Sequence, residues 1–275
     1  MPTIKTAIKK LLEIYFPETL FALSAYRTRR GFRNKFKSRQ KKMEKFIYND
    51  LPVTVLSGPF IGMNYINEVV WGPIESKWLG TYERELHRIF SSVSARSYDS
   101  IIDIGSAEGY YSVGLARMHP ETHVYSYDID LWARSQQLRL AKINGVKNIS
   151  IYGRCAPADL ARHIGKRSLL ICDIEGHEYS LLNSSVTPEL KRCDIIVELH
   201  DSPADKLDIE GGVKELWQRF YKTHDILLIP TEIRSLDDLD ESIVGKLPPA
   251  DALACMDEKR TPRAKWLWLS VKSSA

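Results

Sequence analysis

Carboxylates and imidazoles gather where short apolar runs end. Asp103 closes SIIDI, Asp128 follows HVYSY, and Asp173, Glu175, His177 and Glu178 follow SLLIC. Glu198, His200 and Asp201 finish DIIVELHD. An imidazole titrates close to neutrality and can take the proton of an attacking hydroxyl. Acids beside it can accept hydrogen bonds from a sugar or an ammonium group, or hold a divalent cation. On this reading His177 is the general base and His200 the second catalytic candidate. Asp173, Glu198 and Asp201 are the ligands of a magnesium ion that orients a diol and acidifies its hydroxyl. The same acids also suit direct hydrogen bonding with no metal, and each histidine also suits a purely structural role.

The segment Asp103-Ile-Gly-Ser-Ala-Glu-Gly109 leaves an apolar run and enters a helical one. Gly105 and Gly109 permit a tight turn and close backbone approach to a nucleotide-like ligand. A dinucleotide site would favour a third glycine where Ala107 stands, with the helix N-terminus free to face a pyrophosphate. Asp103 and Glu108 work against that pyrophosphate. They suit a cofactor carrying a sulfonium and an α-ammonium group, which favours S-adenosylmethionine over NAD. Some twenty residues on, Tyr127-Asp128-Ile129-Asp130 offers a carboxylate to two vicinal ribose hydroxyls, and Asp128 is the choice for that role; a helix cap is its alternative. Ser106, Ile129 and Asp173 complete the expected cofactor contacts. Glu83, in Gly80-Thr-Tyr-Glu, either reaches the cofactor's amino-acid end or simply starts a helix.

These residues need a scaffold that brings strand ends together. From Ser100 onward strand-like runs alternate with helical ones, SIIDIG with GYYSVGLARM, HVYSYDID with WARSQQLRLAKIN, ISIYG with APADLARHI, and SLLICDIEG with HEYSLLNS. After DIIVELHD come a helix placing Val213, Leu216, Trp217 and Phe220 on one face, then the strands DILLIP and AKWLWLSVK. Such alternation predicts an α/β fold, a Rossmann-like seven-stranded, mostly parallel sheet with helices on both faces. Ligands of such sheets bind at the carboxyl ends of the strands, where the order of connection reverses. Residues 96–275 are the expected cofactor-binding domain. Residues 51–95 form a cap and lead-in, with short strands and turns over 51–80 and a helix over 81–93. Residues 1–50 form a helical arm, with one helix along Ile4 to Tyr15 and another from Leu20 to Tyr48.

The run DIGSAEGYYS, then YDID, NGVKNISIYG, CDIEGHE and VELHD resembles the FkbM-type family of class I S-adenosylmethionine-dependent methyltransferases, from about Gly58 to Asp201. The order of a helix, DILLIP and AKWLWLSVK also resembles the final hairpin of that fold, which implies a reversed final strand. The resemblance implies methylation of hydroxyl groups on sugars, glycans or natural products. It also implies that Asp103, Gly105 and Gly109 cradle the methionine portion of the cofactor and Asp128 its ribose. Ala107 departs from the commoner glycine-rich form, and residues 1–50 are not covered.

Composition narrows the alternatives. An apolar fraction of 44% fits an ordinary globular protein. Cys155, Cys172, Cys193 and Cys255 form no CxxC pair, which points to reduced core thiols and a cytoplasmic setting. Residues 1–50 carry 13 Lys and Arg against 4 Asp and Glu, while the whole chain is only +4, so residues 51–275 are net acidic. Either the arm has a solvated basic face, or residues 1–45 touch an anionic partner such as the inner face of a membrane. The acidic strand ends would repel a nucleic-acid backbone near the reacting group. An RNA methyltransferase is therefore the lesser enzyme reading, and a catalytically silent adaptor, attached through the basic arm, the non-enzyme one. A homo-oligomer stays open.

Overall fold

The computed structural model describes residues 17–261 and 263–272. The expected opening helix from Ile4 to Tyr15 lies outside them. Seven strands form a single sheet: β1 (Ser100–Ile104), β2 (His123–Tyr127), β3 (Ile149–Tyr152), β4 (Ser168–Cys172), β5 (Cys193–Leu199), β6 (His224–Pro230) and β7 (Lys265–Val271). Their order is β3-β2-β1-β4-β5-β7-β6. The first five pair in parallel, and β7 runs antiparallel between β5 and β6, with Glu198 opposite Trp266. This is the Rossmann-like sheet expected from the alternation of runs. The reversed β7 sets it apart from a dinucleotide-binding sheet, whose sixth strand lies directly beside the fifth.

Alternate residues of the central strands feed two apolar layers. Ile101, Leu169, Ile171 and Ile196 face one layer, while Ile102, Leu170, Ile195 and Val197 face the other. The helices α1 (Pro17–Phe46), α2 (Glu75–Leu79), α3 (His87–Ser94), α4 (Tyr110–Met118) and α5 (Leu131–Ile143) follow the chain through the first half. They are succeeded by α6 (Pro157–His163), α7 (Glu178–Leu181), α8 (Ile209–Phe220) and α9 (Pro249–Met256). Residues of α1, α3, α4, α5 and α9 cover the first face, and those of α6, α7 and α8 the second. Two helices differ from expectation. The stretch 81–93 begins as a 3-10 turn, Arg84–Leu86, before α3, because Glu83 has a left-handed backbone, φ 44°, that no α-helix accommodates. HEYSLLNS yields only the four-residue α7.

Residues 51–80 contain turns, the antiparallel bridge Thr54 to Asn64, and α2. They are seated deeply on α4. Phe60 lies on Gly114, where any Cβ would be driven into the ring, and it packs edge-on against Tyr110 at 5.1 Å.

The inner face of α1 buries Phe36 and carries Met43 and the partly buried Phe32 into the first layer. Much of its basic character on that side is spent on the body of the protein. Arg29 pairs with Asp130, Arg33 with Glu68, Arg39 with Glu75, and Lys42 with Asp251. No helix among the described residues is long and apolar enough to cross a membrane.

Candidate functional site

The reversal in strand order falls between β1 and β4, whose carboxyl ends open toward a common cleft. Gly105 follows β1 with φ 83°, and a Cβ there would overlap the carbonyl oxygen of Asp173 after β4. The first glycine of the turn is therefore set by the close meeting of two strand ends. Ala107, at φ 47°, adopts a left-handed backbone without being glycine. The carboxylate of Asp128 supports that turn, accepting from the N–H of Ala107 at 2.8 Å and from that of Asp130 at 2.7 Å. Asp128 thus joins the ends of β1 and β2. The helix cap is Asp130, which accepts from the N–H of Trp132 at 3.0 Å. Ile129 stands 59% exposed between them, an apolar surface at the rim. Burial raises Asp128 to about 6 against the hydrogen bonds that favour its charge.

Glu108 does not face a ligand, contrary to what its place in the turn suggests. Glu108 is buried, and its charge is met by the ammonium of Lys77 and by the hydroxyl of Tyr65 at 2.9 Å. It faces the interior of the 51–80 segment and offers no free charge to a ligand. Ser106 also turns inward, toward the backbone carbonyl of Tyr127 and the amide of Gln137. Asp103 is buried, with Oδ2 lacking any hydrogen-bond partner. Burial first, and then the fields of Asp128 and Asp173, lift it to about 7.

The cleft proper holds about 500 Å³ and is lined by Trp71, Tyr82, Asp173, Glu175, Glu198 and His200, with Asp201, Glu258 and Arg260 also in its wall. His200 is its imidazole. Nδ1 is held at 2.8 Å by the buried carboxylate of Glu178, which also accepts from the N–H groups of Ile174 and Gly176. Nε2 faces Asp173, Glu175 and Glu198 at 3.8, 3.6 and 3.7 Å. Burial opposes the charge of His200, but the Glu178 hydrogen bond and the surrounding carboxylates outweigh it and raise the imidazole above its ordinary value. Glu178 is correspondingly lowered: burial acts against its charge, and His200 reverses that.

His177, the expected base, is exposed and does not line the cleft. The chain turns sharply at Glu175 and Gly176, φ 56° and 98°, and this carries the next side chain away from the strand end. The expected magnesium ligands all line the cleft but are not the set that converges: Glu198 is engaged by Arg260, and Asp201 accepts from the N–H of Ile209 at 3.1 Å and lies 3.6 Å from Arg263. The set whose ligand atoms do converge, within 4.8 Å of one another, is Asp173, Glu175 and His200.

Arg260 was not anticipated. Its guanidinium bridges Glu83 and Glu198, both buried, and lies 5.6 Å above the ring of Trp266. Glu83 also accepts from the hydroxyl of Tyr111. Its side chain is committed to that network and caps no helix. A second buried guanidinium, Arg234, joins Glu85 to Glu258, whose carboxylate in turn accepts from the N–H of Glu83 at 3.1 Å. Burial pushes Glu258 to about 7 despite Arg234, and carries Asp173 to about 7 despite His200. Glu198 is raised well above the carboxylate range by burial and by Asp173. Nothing in the spacing of Arg260 reveals its partners, because they lie 177 and 62 residues away.

No protein-family model matches the chain, and no curated protein matches it in sequence. Among solved structures it is similar to an rRNA methylase from Streptococcus thermophilus, with 12% identity over 70% of this chain and 99% of that one and a TM-score of 0.46. It is also similar to a ribosomal protein L11 methylase from Lactobacillus delbrueckii subsp. bulgaricus, with 14% identity over 70% and 80% and a TM-score of 0.44. M. jannaschii TYW2 in complex with AdoMet matches at 13% identity over 69% and 76%, with a TM-score of 0.37. The first two are methylases by name, and the third holds AdoMet. At these scores the fold rests on the strand order itself.

Proposed function

We propose that this chain is an S-adenosylmethionine-dependent methyltransferase acting on a hydroxyl group of a sugar, glycan or natural product. The observation that carries the reading is an imidazole, His200, locked through Nδ1 by buried Glu178 and presenting Nε2 to a carboxylate-lined cleft at the strand-order reversal. A histidine so held has one defined tautomer, with a lone pair facing the acceptor.

The residues fit the cofactor. Buried Oδ2 of Asp103 and Oδ1 of Asp173 have no hydrogen-bond partner, and an ammonium group would satisfy such orphaned acceptors. Asp128 and exposed Ile129 offer a carboxylate and an apolar surface to a nucleoside. When bound, S-adenosylmethionine supplies a methyl group on a positively charged sulfur. The work of the chain is then to align the acceptor oxygen and receive its proton on Nε2 of His200. Asp173, Glu175 and Glu198 stabilise the imidazolium that results. Acids in this density favour hydroxyl-bearing, uncharged acceptors over a phosphate backbone.

Calorimetric titration with S-adenosylhomocysteine and, separately, NAD tests the cofactor, and a labelled-methyl screen of hydroxylated glycans and natural products tests the acceptor. Micromolar binding of S-adenosylhomocysteine alone is expected. His200→Ala should retain that binding and lose turnover. Binding of NAD in its place, or full turnover by the variant, would overturn the reading.

A further inference from the structure

The turn that carries Asp128 is fixed by more than its own helix. Asp130 uses Oδ1 to cap α5 and gives Oδ2 to Arg29 of α1, 101 residues earlier in the chain. Both partners are well buried, with side chains 12% and 3% exposed. The guanidinium of Arg29 also sits 5.8 Å from the ring of Trp71 and 5.9 Å from that of Trp132. Trp71 lines the cleft, and Trp132 follows Ile129 by one turn of backbone. Arg29 therefore ties three pieces of the site's rim together: the Asp128–Asp130 turn, the start of α5, and the 51–80 segment.

The chemistry of this contact differs from that of the other basic residues of α1. Arg33 and Lys42 pair with acids at the surface, where an ion pair is worth little. The Arg29–Asp130 pair is removed from water, and its guanidinium has aromatic rings nearby, the setting in which such a charge interaction is strongest. Asp130 is in turn linked to Asp128, whose Oδ1 accepts the N–H of Asp130 at 2.7 Å. A shift of Asp130 is thereby passed to the carboxylate placed for the ribose.

We infer that Arg29 is a positioning residue for the cofactor, and that α1 forms the nucleoside end of the binding site by holding the Asp128–Asp130 turn through this buried pair. The inference rests on the methyltransferase reading and adds a residue to its site. Deleting residues 1–30 therefore removes part of the site as well as a basic segment.

The test is titration of S-adenosylhomocysteine into the full chain and into Arg29→Ala, Arg29→Lys and Asp130→Asn, with melting temperature and steady-state kinetics recorded for each. Asparagine keeps the helix cap at position 130 and loses the charge. A hydrogen bond to a charged group is worth about tenfold or more in an equilibrium, so Arg29→Ala and Asp130→Asn should each weaken binding by roughly that factor. The loss should appear in KM for the cofactor with kcat retained, and Arg29→Lys should recover part of it. Wild-type binding with both variants unchanged overturns the inference and leaves the methyltransferase reading standing. Equal loss in all three variants, tracking melting temperature, also overturns it, by showing that the pair only stabilises the fold. Failure of the wild type to bind S-adenosylhomocysteine removes the methyltransferase reading and this inference with it.

Discussion

Replacing Arg260 by methionine removes the only described cation that contacts both Glu83 and Glu198 and keeps most of the side chain's volume. Glu83 has a fully buried side chain and that of Glu198 is 9% exposed, so neither carboxylate can turn to water for compensation. Breaking a buried pair by deleting one member costs about 3–5 kcal/mol, because the charge left behind has lost its counterion. For a chain of this size each kcal/mol moves the melting temperature by roughly 2–4 °C, which places the expected fall at about 6–20 °C. The pH dependence provides the sharper check. Glu198 is already raised by burial and by Asp173, and losing Arg260 raises it further. A carboxylate raised in the folded state stabilises the fold below its unfolded value, and that contribution is lost as pH rises through the folded value. The deficit of Arg260→Met should thus be largest above neutrality and shrink toward pH 5. Adding Glu198→Gln should recover part of it at pH 8. Thermal melts of wild type, single and double variants between pH 5 and 8 measure this. A fall below 2 °C that is flat with pH would refute the assignment of Arg260 as counterion to two buried carboxylates.

Three further outcomes are expected. Gly105→Ala should fail to fold or melt far below the wild type, since the left-handed backbone alone costs roughly 1–2 kcal/mol and the added carbon meets the Asp173 carbonyl; Gly145→Ala, with open space around it, should pay only the backbone cost. Glu178→Gln should move the acid limb of kcat/KM to lower pH, because His200 loses the carboxylate that raises it, and should lower the plateau through loss of the fixed tautomer; an unmoved limb would contradict the dyad. His177→Ala should stay within about twofold of the wild-type rate, as expected for an exposed side chain outside the cleft, and lost turnover would return the base to His177.

The sheet was legible because β1, β4 and β5 are nearly continuous apolar runs spaced by helical stretches, and such runs are the mark of strands buried on both sides. The reversed β7 was expected from resemblance alone, since residues 231–264, which include α9, separate it from β6 and leave room for a crossover helix that would have made it parallel. Periodicity misplaced Trp217. It shares the helical spacing of Leu216 and Phe220, yet it stands 49% exposed and stacks on Tyr221 at 4.7 Å. At the site, strand-end acids were visible as types but their partners were not. Glu108 reads as a ligand-facing acid until Lys77 is seen beside it, and Glu83 reads as a helix start until Arg260 reaches it. The exchange of His177 for His200 has a local cause. A two-residue left-handed turn at Glu175 and Gly176 reverses the direction in which the next side chain leaves, and only the glycine of that turn signals itself in sequence.

The seating of Phe60 on Gly114 bears on how a chain with the proposed activity could acquire a new acceptor. Residues 51–80 border the cleft, and a breeder of variants would reach for them first. Yet this stretch cannot be exchanged like a cartridge, because its aromatic anchor needs a bare backbone on α4 to rest upon. Lineages that diverge in acceptor are expected to alter positions 60 and 114 together, a smaller ring partner licensing a larger residue on the helix. Grafts that move the segment alone should arrive with their anchor unseated.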